Sequence, residues 1–302
     1  MHTIVHWWSM VFDDNSLHQP VLLEEVMESL INDRDGLYID ATTGAGGYSC
    51  EILARISDKG RVISMDMDAS ALEIASKRCP DKRQRFIKAR FSEISSIVSS
   101  DERVRGIVFD LGLSRMQIKD NMRGFSFTSS ERLDMRMDRD ENLSAWDVVN
   151  TYDQKKLQEI ISRYGEERYA DKISKVIIQK RKKGYINTCS ELAECISNVV
   201  PKRGKIHPAT KTFQAIRIEV NREIEELREG LRGATKILDA GGRVCVVSYH
   251  SIEDREVKSF LRASSADGYL KTITKKPITP SLEEIRRNPS ARSAKLRVGE
   301  KL

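Results

Sequence analysis

At 302 residues and 34.4 kDa the chain is too long for one small core, so one large α/β domain or two ordinary ones is expected. Hydrophobic residues supply 39% and charged residues 32%, with a mean hydropathy of −0.46, which excludes both wholesale disorder and a membrane bundle. A net charge of +6 and a pI near 9.0 ask for an anionic partner, although such an excess also keeps a protein in solution.

Residues Met1 to Ser16 read as an extension in which the apolar run Ile4 to Phe12 is too short to span a bilayer, so a soluble protein is expected. From Val21 to Phe109 helical and strand patterns alternate, the signature of a parallel sheet. A helix over Val21–Ile31 leads into a strand at Gly36–Asp40, a glycine-rich turn over Asp40–Ser49 and a helix over Cys50–Ile56. Strand Arg61–Asp66, helix Ala69–Arg78, a weaker strand Gln84–Ala89 and the apolar strand Val104–Asp110 follow. From about Lys119 the pattern turns helical, with Ser144–Val149, Gln154–Tyr164, Glu166–Lys180 and Glu191–Val200. Thr188-Cys-Ser-Glu191 fits a capping box ahead of the last. Ile216, Val220, Ile224, Leu227 and Leu231 then form one helical stripe ending near Gly241-Gly242, and strand Arg243–Tyr249 resumes the sheet. Leu270–Ile278 and Ser293–Val298 suit a final antiparallel pair. The expected organisation is an extension (1–16), an α/β domain in two parts (17–118 and 212–302), and an inserted helical domain (119–211).

Five cysteines (Cys50, Cys79, Cys189, Cys195, Cys245) without a C-x-x-C pair resemble intracellular thiols more than a disulfide framework or zinc site. None of the five histidines pairs with another at ligand spacing, so no metal is expected.

The sharpest local signal is Asp40-Ala-Thr-Thr-Gly44-Ala-Gly46-Gly47-Tyr48-Ser49, a strand feeding through glycines into a helix, where backbone N–H groups can meet an anion or carboxylate. A dinucleotide fingerprint begun at Gly44 would need glycine where Ser49 stands, which weakens a nicotinamide reading. Asp66 closes the second strand, where a carboxylate can take both hydroxyls of a ribose. Adenosine plus an amino-acid carboxylate, as in S-adenosylmethionine, fits this pattern better than a dinucleotide. The plainer alternatives are a tight turn at Gly44 and Gly46, Asp40 capping the following helix, and Asp66 as an ordinary strand-end acid. Asp110 opens a further loop, Asp110-Leu-Gly112-Leu-Ser114, and is either a cleft acid or a turn residue. Phe91, after the third strand, suits an adenine face or the core.

Taken together, these motifs resemble the bacterial 16S ribosomal RNA small-subunit methyltransferase H family over about 280 residues. The resemblance is carried by His18-Gln-Pro-Val-Leu-Leu23, Tyr38-Ile-Asp-Ala-Thr-Thr-Gly-Ala-Gly-Gly47, Asp110-Leu-Gly-Leu-Ser114, Arg123-Gly-Phe-Ser-Phe127 and Leu133-Asp-Met-Arg-Met-Asp138. Tyr164-Gly-Glu-Glu167, His207-Pro-Ala-Thr210, Phe213-Gln-Ala-Ile-Arg217, Ser248-Tyr-His-Ser-Ile-Glu-Asp-Arg255 and Asn288-Pro-Ser-Ala-Arg292 complete it. It implies a Rossmann-like class I methyltransferase sheet with an inserted helical domain facing it. It also implies transfer of methyl from S-adenosylmethionine to the N4 amine of a P-site cytidine in 16S rRNA of the small subunit, in the cytoplasm. The implied cofactor residues are Ala45, Gly46, Gly47, Tyr48, Asp66, Phe91, Asp110 and Gln117. Two departures are Tyr48, where the family usually has histidine, and Arg115, where a second serine is common; a cofactor contact through the Tyr48 backbone would survive the first.

For the chemistry, Asp110 and His250 are the candidate proton acceptors, since bonding the amine N–H groups would favour a pyramidal, more nucleophilic nitrogen. His250 can equally fasten Glu253 and Asp254 in a polar loop. The Asp-Pro-Pro-Tyr type of loop used by many exocyclic-amine methyltransferases is absent. RNA contact is expected from Arg123, Phe125, Phe127, Lys211, Arg217 and Arg255, the two phenylalanines offering a stacking platform or else sealing the insertion. Basic runs at Lys180–Lys183, Lys202–Lys205, Lys275-Lys276 and Arg286-Arg287 suit phosphates or a solvated face. The competing readings are a nicotinamide-linked oxidoreductase and a non-catalytic ribosome-assembly factor; oligomeric state is not legible.

Overall fold

The computed structural model describes residues 20–99, 101–113, 117, 121–127, 129–202, 204 and 207–302. The expectations for residues 1–16, His18, Ser114, Arg115, Arg203 and Lys205 lie outside them. Two compact units emerge: one comprises residues 1–112 and 226–302, the other Leu113–Glu225.

The first unit is built on a seven-stranded sheet of β1 (Leu37–Asp40), β2 (Arg61–Asp66), β3 (Gln84–Lys88), β4 (Val104–Asp110), β5 (Leu238–Ser248), β6 (Leu270–Thr272) and β7 (Lys295–Lys301). Their order is β3-β2-β1-β4-β5-β7-β6. The first five strands are parallel and β7 runs antiparallel to both its neighbours. This is the expected Rossmann-like α/β sheet, extended by an antiparallel pair at one edge. All of β1 is buried, as a parallel strand covered on both faces must be. Alternation divides its side chains: Leu37 and Ile39 join Phe109, Leu227, Leu231 and Val246 on one face, while Tyr38 joins Ile52, Val108 and Cys245 on the other. Helices α1 (Leu23–Leu30), α2 (Gly47–Arg55) and α3 (Ala69–Arg78) precede β1, β2 and β3. The strand order turns back between β1 and β4, so the ends of these two strands flank the crevice where such sheets bind ligands.

The second unit contains α4 (Ala145–Thr151), α5 (Gln154–Gly165), α6 (Ala170–Arg181), α7 (Cys189–Ser197) and α8 (Thr210–Asn221). Thr188 and Glu191 form the expected capping box, and α7 starts at once, at Cys189. Helix α8 packs on α5, which draws the chain up to Glu225 into this unit, beyond the expected limit at residue 211.

Two further elements differ from expectation. The stripe from Ile216 to Leu231 is divided between α8 and α9 (Glu223–Ile237), because Arg222 between them takes a left-handed φ of 52°. Strand β5 begins at Leu238 rather than Arg243, its pairing with β4 shifting between Val104 and Gly106 to accommodate Gly241, at φ 76°. Helix α10 (Ser251–Ala266) follows β5, and the expected terminal hairpin forms as β6 against β7, with α11 (Leu282–Arg287) between them in sequence. Among the described residues no helix is long and apolar enough to cross a membrane.

Candidate active site

Three acids stand at the carboxyl ends of parallel strands: Asp40 on β1, Asp66 on β2 and Asp110 on β4. They differ in what holds them. Asp40 is fully buried, and its Oδ2 accepts the Ser49 N–H (3.1 Å) and hydroxyl (2.7 Å). Ser49 Oγ lies 2.7 Å from Ser64 Oγ, which also accepts from Gln84 Nε2 (2.6 Å), so a polar chain runs from β1 to β3. Burial lifts the Asp40 carboxyl to about 6 against the opposing hydrogen bonds of Ser49 and Thr42, with the Asp66 charge adding to the rise. Asp40 is therefore the clamp on the first turn of α2, and the capping alternative is the one realised.

Between Asp40 and α2 the chain makes a tight cradle. Gly44 and Gly46 take φ of 51° and 81°, conformations that L side chains rarely adopt. A Cβ on Gly47 would fall 2.4 Å from Pro20 Cγ, so this position excludes any side chain for steric reasons. Asp66 fixes the cradle from the neighbouring strand: Oδ2 accepts the Gly44 N–H at 2.8 Å and Oδ1 the Asp68 N–H at 2.9 Å. From the last turn of α3, Arg78 donates to the Ala45 carbonyl (3.1 Å). The N–H groups of Gly47 and Tyr48, in the first turn of α2, have no intrahelical acceptor and give the cradle its anion-seeking end.

Asp110 is tied to β1 through its own N–H, which donates to Thr42 Oγ1 at 2.6 Å, and to β5 through the Tyr249 hydroxyl, which donates to its Oδ1 at 2.8 Å. Burial raises its carboxyl to about 7; the Tyr249 bond opposes this, and the Asp40 and Glu253 charges reinforce it. Tyr249 in turn is pushed well up by burial and by the Asp110 charge, so it remains a donor. Gly112, at φ 97°, turns the chain away immediately afterwards.

The comparisons with known proteins bear on this arrangement. The model of the MraW methylase family matches residues 15–302. The chain belongs to the MraW methylase family. Several relatives carry the name ribosomal RNA small subunit methyltransferase H. That from Caldicellulosiruptor bescii is 44% identical over 304 residues, covering 94% of this chain and 99% of its own. Those from Persephonella marina (47% identical) and Fusobacterium nucleatum (42%) cover 94% and 95% of this chain and 99% and 98% of theirs.

In this MraW-family chain the sequence-expected residues fall into distinct settings. Ala45, Gly46, Gly47, Asp66 and Asp110 meet around the ends of β1, β2 and β4. Tyr48 turns its side chain into the core, where its hydroxyl donates to the Val21 carbonyl, leaving its backbone for a ligand. Phe91 is half-buried, edge-on to Phe109 with ring centroids 5.8 Å apart, and packs against the sheet core. His250 is the N-cap of α10: its Nδ1 accepts the Glu253 N–H (3.3 Å), and its Nε2 lies 3.0 Å from Glu253 Oε1. Gln117 is buried and belongs to the second unit.

The RNA candidates are similarly divided. Arg123 is buried, donating to the Met137 carbonyl at 3.0 Å. Phe127 stacks on His207 at 4.4 Å and meets Phe213 edge-on, and Phe125 is half-buried. Arg217 makes a two-pronged pair with Glu223 at 2.8 and 2.9 Å. Lys211, exposed, donates to the Glu166 carbonyl (2.9 Å), and Arg255 is exposed on the first unit. Sequence reasoning did not single out Thr42, Arg78 or Tyr249. Thr42 and Tyr249 lie inside motifs quoted for the family resemblance; Arg78 had no local signal.

Proposed function

We propose that the chain transfers a methyl group from S-adenosylmethionine to the N4 amine of a P-site cytidine in 16S ribosomal RNA of the small subunit, acting in the cytoplasm. The supporting observation is the meeting of the Gly44–Tyr48 cradle, Asp66 and Asp110 at the turn-back point of the sheet, in a member of a methylase family. The residues suit this cofactor. Unpaired N–H groups at the start of α2 match an amino-acid carboxylate, and Asp66, oriented by two backbone donors, matches a ribose diol. When bound, S-adenosylmethionine supplies an electrophilic methyl group on a sulfonium.

The chain's own contribution is placement and proton handling. Alignment of donor and acceptor can provide about 7 to 11 kcal/mol of the barrier. Cytosine N4 is a poor nucleophile because its lone pair is delocalised into the ring. An acceptor for its N–H groups counters that, and Asp110, titrating at about 7, can accept the proton at working pH. Tyr249 restrains one carboxylate oxygen of Asp110. His250, whose Nδ1 accepts the Glu253 N–H, orders the start of α10. The target base must leave its stack to reach the site.

The test is incubation with methyl-labelled S-adenosylmethionine and small subunits from cells lacking the protein, followed by mass mapping of the 16S RNA. One cytidine gaining one methyl on its amine is expected. No incorporation, or a methyl on another atom, would refute the assignment.

A further inference from the structure

Away from the strand ends, the C-terminal half of α10 and the β6–β7 edge of the sheet enclose a cleft of about 370 Å3. Lys258 and Arg262 line it from the helix, Thr272, Thr274 and Lys275 from the edge, and Arg297 from β7. Thr272 pairs with Gly299, which lies opposite Val244, four residues before the end of β5 at Ser248. Asp110 stands opposite Val247, three residues beyond Val244, so at about 3.3 Å per residue this level of the cleft is about 10 Å below Asp110 along the strands and three strands away across the sheet.

Four cations line it and no acid does. Arg55, Arg83, Arg90, Arg228 and Arg243 each have a carboxylate partner. The acids closest to the cleft in sequence are similarly occupied: Glu256 by Arg228, Glu300 by Arg243, and Asp254 by both Arg297 (2.7 Å) and Lys295 (3.0 Å). Asp267, past the end of α10, is not among the lining residues. Lys258, Arg262 and Lys275 have no ion pair among the described residues, and neither does exposed Lys276, which follows Lys275 in the chain. Cations gathered within a Debye length of about 8 to 10 Å repel one another unless an anion joins them. The hydroxyl of Ser265 adds a neutral donor, a mixture that suits phosphate oxygens.

We propose that this cleft, with the adjoining Lys276, holds the phosphate backbone of the RNA substrate at a point remote from the reacting base. The proposal rests on the RNA reading above. A backbone, rather than a free nucleotide, is favoured because exposed Lys276, next to Lys275 and outside the lining, offers a polyanion a further contact.

The experiment compares wild type with the triple variant Lys258→Ala/Arg262→Ala/Lys275→Ala, and with a control, Lys59→Ala/Lys82→Ala/Lys236→Ala, that loses equal charge elsewhere. Binding to small subunits is measured against salt, methylation kinetics are followed, and S-adenosylhomocysteine-induced thermal stabilisation verifies that the fold and cofactor site persist. Loss of three phosphate contacts should reduce the slope of log K against log salt by about 2 to 3 and weaken binding at least roughly tenfold at physiological salt. KM should rise while kcat at saturation stays within about twofold. A salt slope and KM matching the control would overturn the proposal, as would inorganic phosphate at low millimolar concentration displacing the subunit from the wild type. If the wild type binds subunits with the expected slope difference yet never methylates them, the cleft stands and the enzymatic reading fails.

Discussion

Asp110→Asn isolates the electrostatic tension at the site. The wild-type carboxyl sits at about 7 in the folded protein against 3.8 unperturbed, so between those values the folded state keeps a proton that the unfolded chain releases. Because the folded state binds more protons in that window, stability falls as pH rises from about 4 to about 7 and is level beyond. Three pKa units correspond to about 4 kcal/mol. Asp110 is only half-buried, so solvent screening lowers this to about 2 kcal/mol. Asparagine retains a carbonyl oxygen to accept the Tyr249 hydroxyl and has no charge to bury. The variant should match wild type near pH 4 and exceed it by about 2 kcal/mol at pH 8, while binding S-adenosylmethionine more weakly because the cationic sulfonium loses an anionic neighbour. Urea unfolding of the cofactor-free proteins at pH 4, 5.5, 7 and 8, following the transition that S-adenosylhomocysteine shifts, measures the difference. Parallel pH profiles for the two proteins would refute the reasoning. The Asp40 carboxyl, raised to about 6, adds a fall of the same sign to both, and because its charge also raises Asp110 the difference between the two proteins includes that coupling.

Asp66→Ala removes the acceptor for the Gly44 and Asp68 N–H groups together with the proposed ribose ligand, and should weaken cofactor binding at least roughly tenfold by calorimetry; an unchanged Kd would remove Asp66 from the site. His250→Asn keeps a capping acceptor for the Glu253 N–H and should hold stability, with kcat within about tenfold of wild type. His250→Ala should cost about 1 kcal/mol, and a collapse of kcat in the asparagine variant would make the imidazole the proton acceptor instead. Tyr48→Phe strands the Val21 carbonyl and should lower stability by about 1 kcal/mol with cofactor affinity unchanged; a matching loss of affinity would place the hydroxyl at the ligand. Cys79, held below its usual range by a hydrogen bond from Cys50, should be alkylated by iodoacetamide before the buried Cys189, Cys195 and Cys245, as peptide mapping can check.

The sheet was legible because a buried parallel strand needs an uninterrupted apolar run, and Arg61–Asp66 and Val104–Asp110 begin and end where the pattern does. The cradle was legible because positive φ and close approach require glycine, which leaves a mark in the sequence. Arg222 left no such mark. It adopts a left-handed conformation without being glycine or asparagine, so the apolar stripe crosses the break between α8 and α9 unaltered. The extent of the second unit was equally hidden, since it depends on α8 packing against α5, some fifty residues away. Arg123 reads as a surface cation until its guanidinium is seen donating to a backbone carbonyl in the interior.

What sequence reading most underestimated was how unequal the three strand-end acids are. All three end an apolar strand, yet Asp40 spends its carboxylate on the first turn of α2, Asp66 uses backbone donors to orient its own, and Asp110 is held by a tyrosine 139 residues away. The first two arrangements are local to neighbouring loops and stabilise the carboxylate through hydrogen bonds. The third joins β4 to β5 and opposes burial with a single hydroxyl, and its carboxyl is raised to about 7. A methyl transfer that generates a positively charged amine needs an acceptor at that place and with that affinity, whereas an acid buried as a clamp would be unable to exchange its proton without loosening the cradle. The division of labour among three identical side chains therefore follows from what each strand end is bonded to, and it is the ground for proposing Asp110 as the proton acceptor.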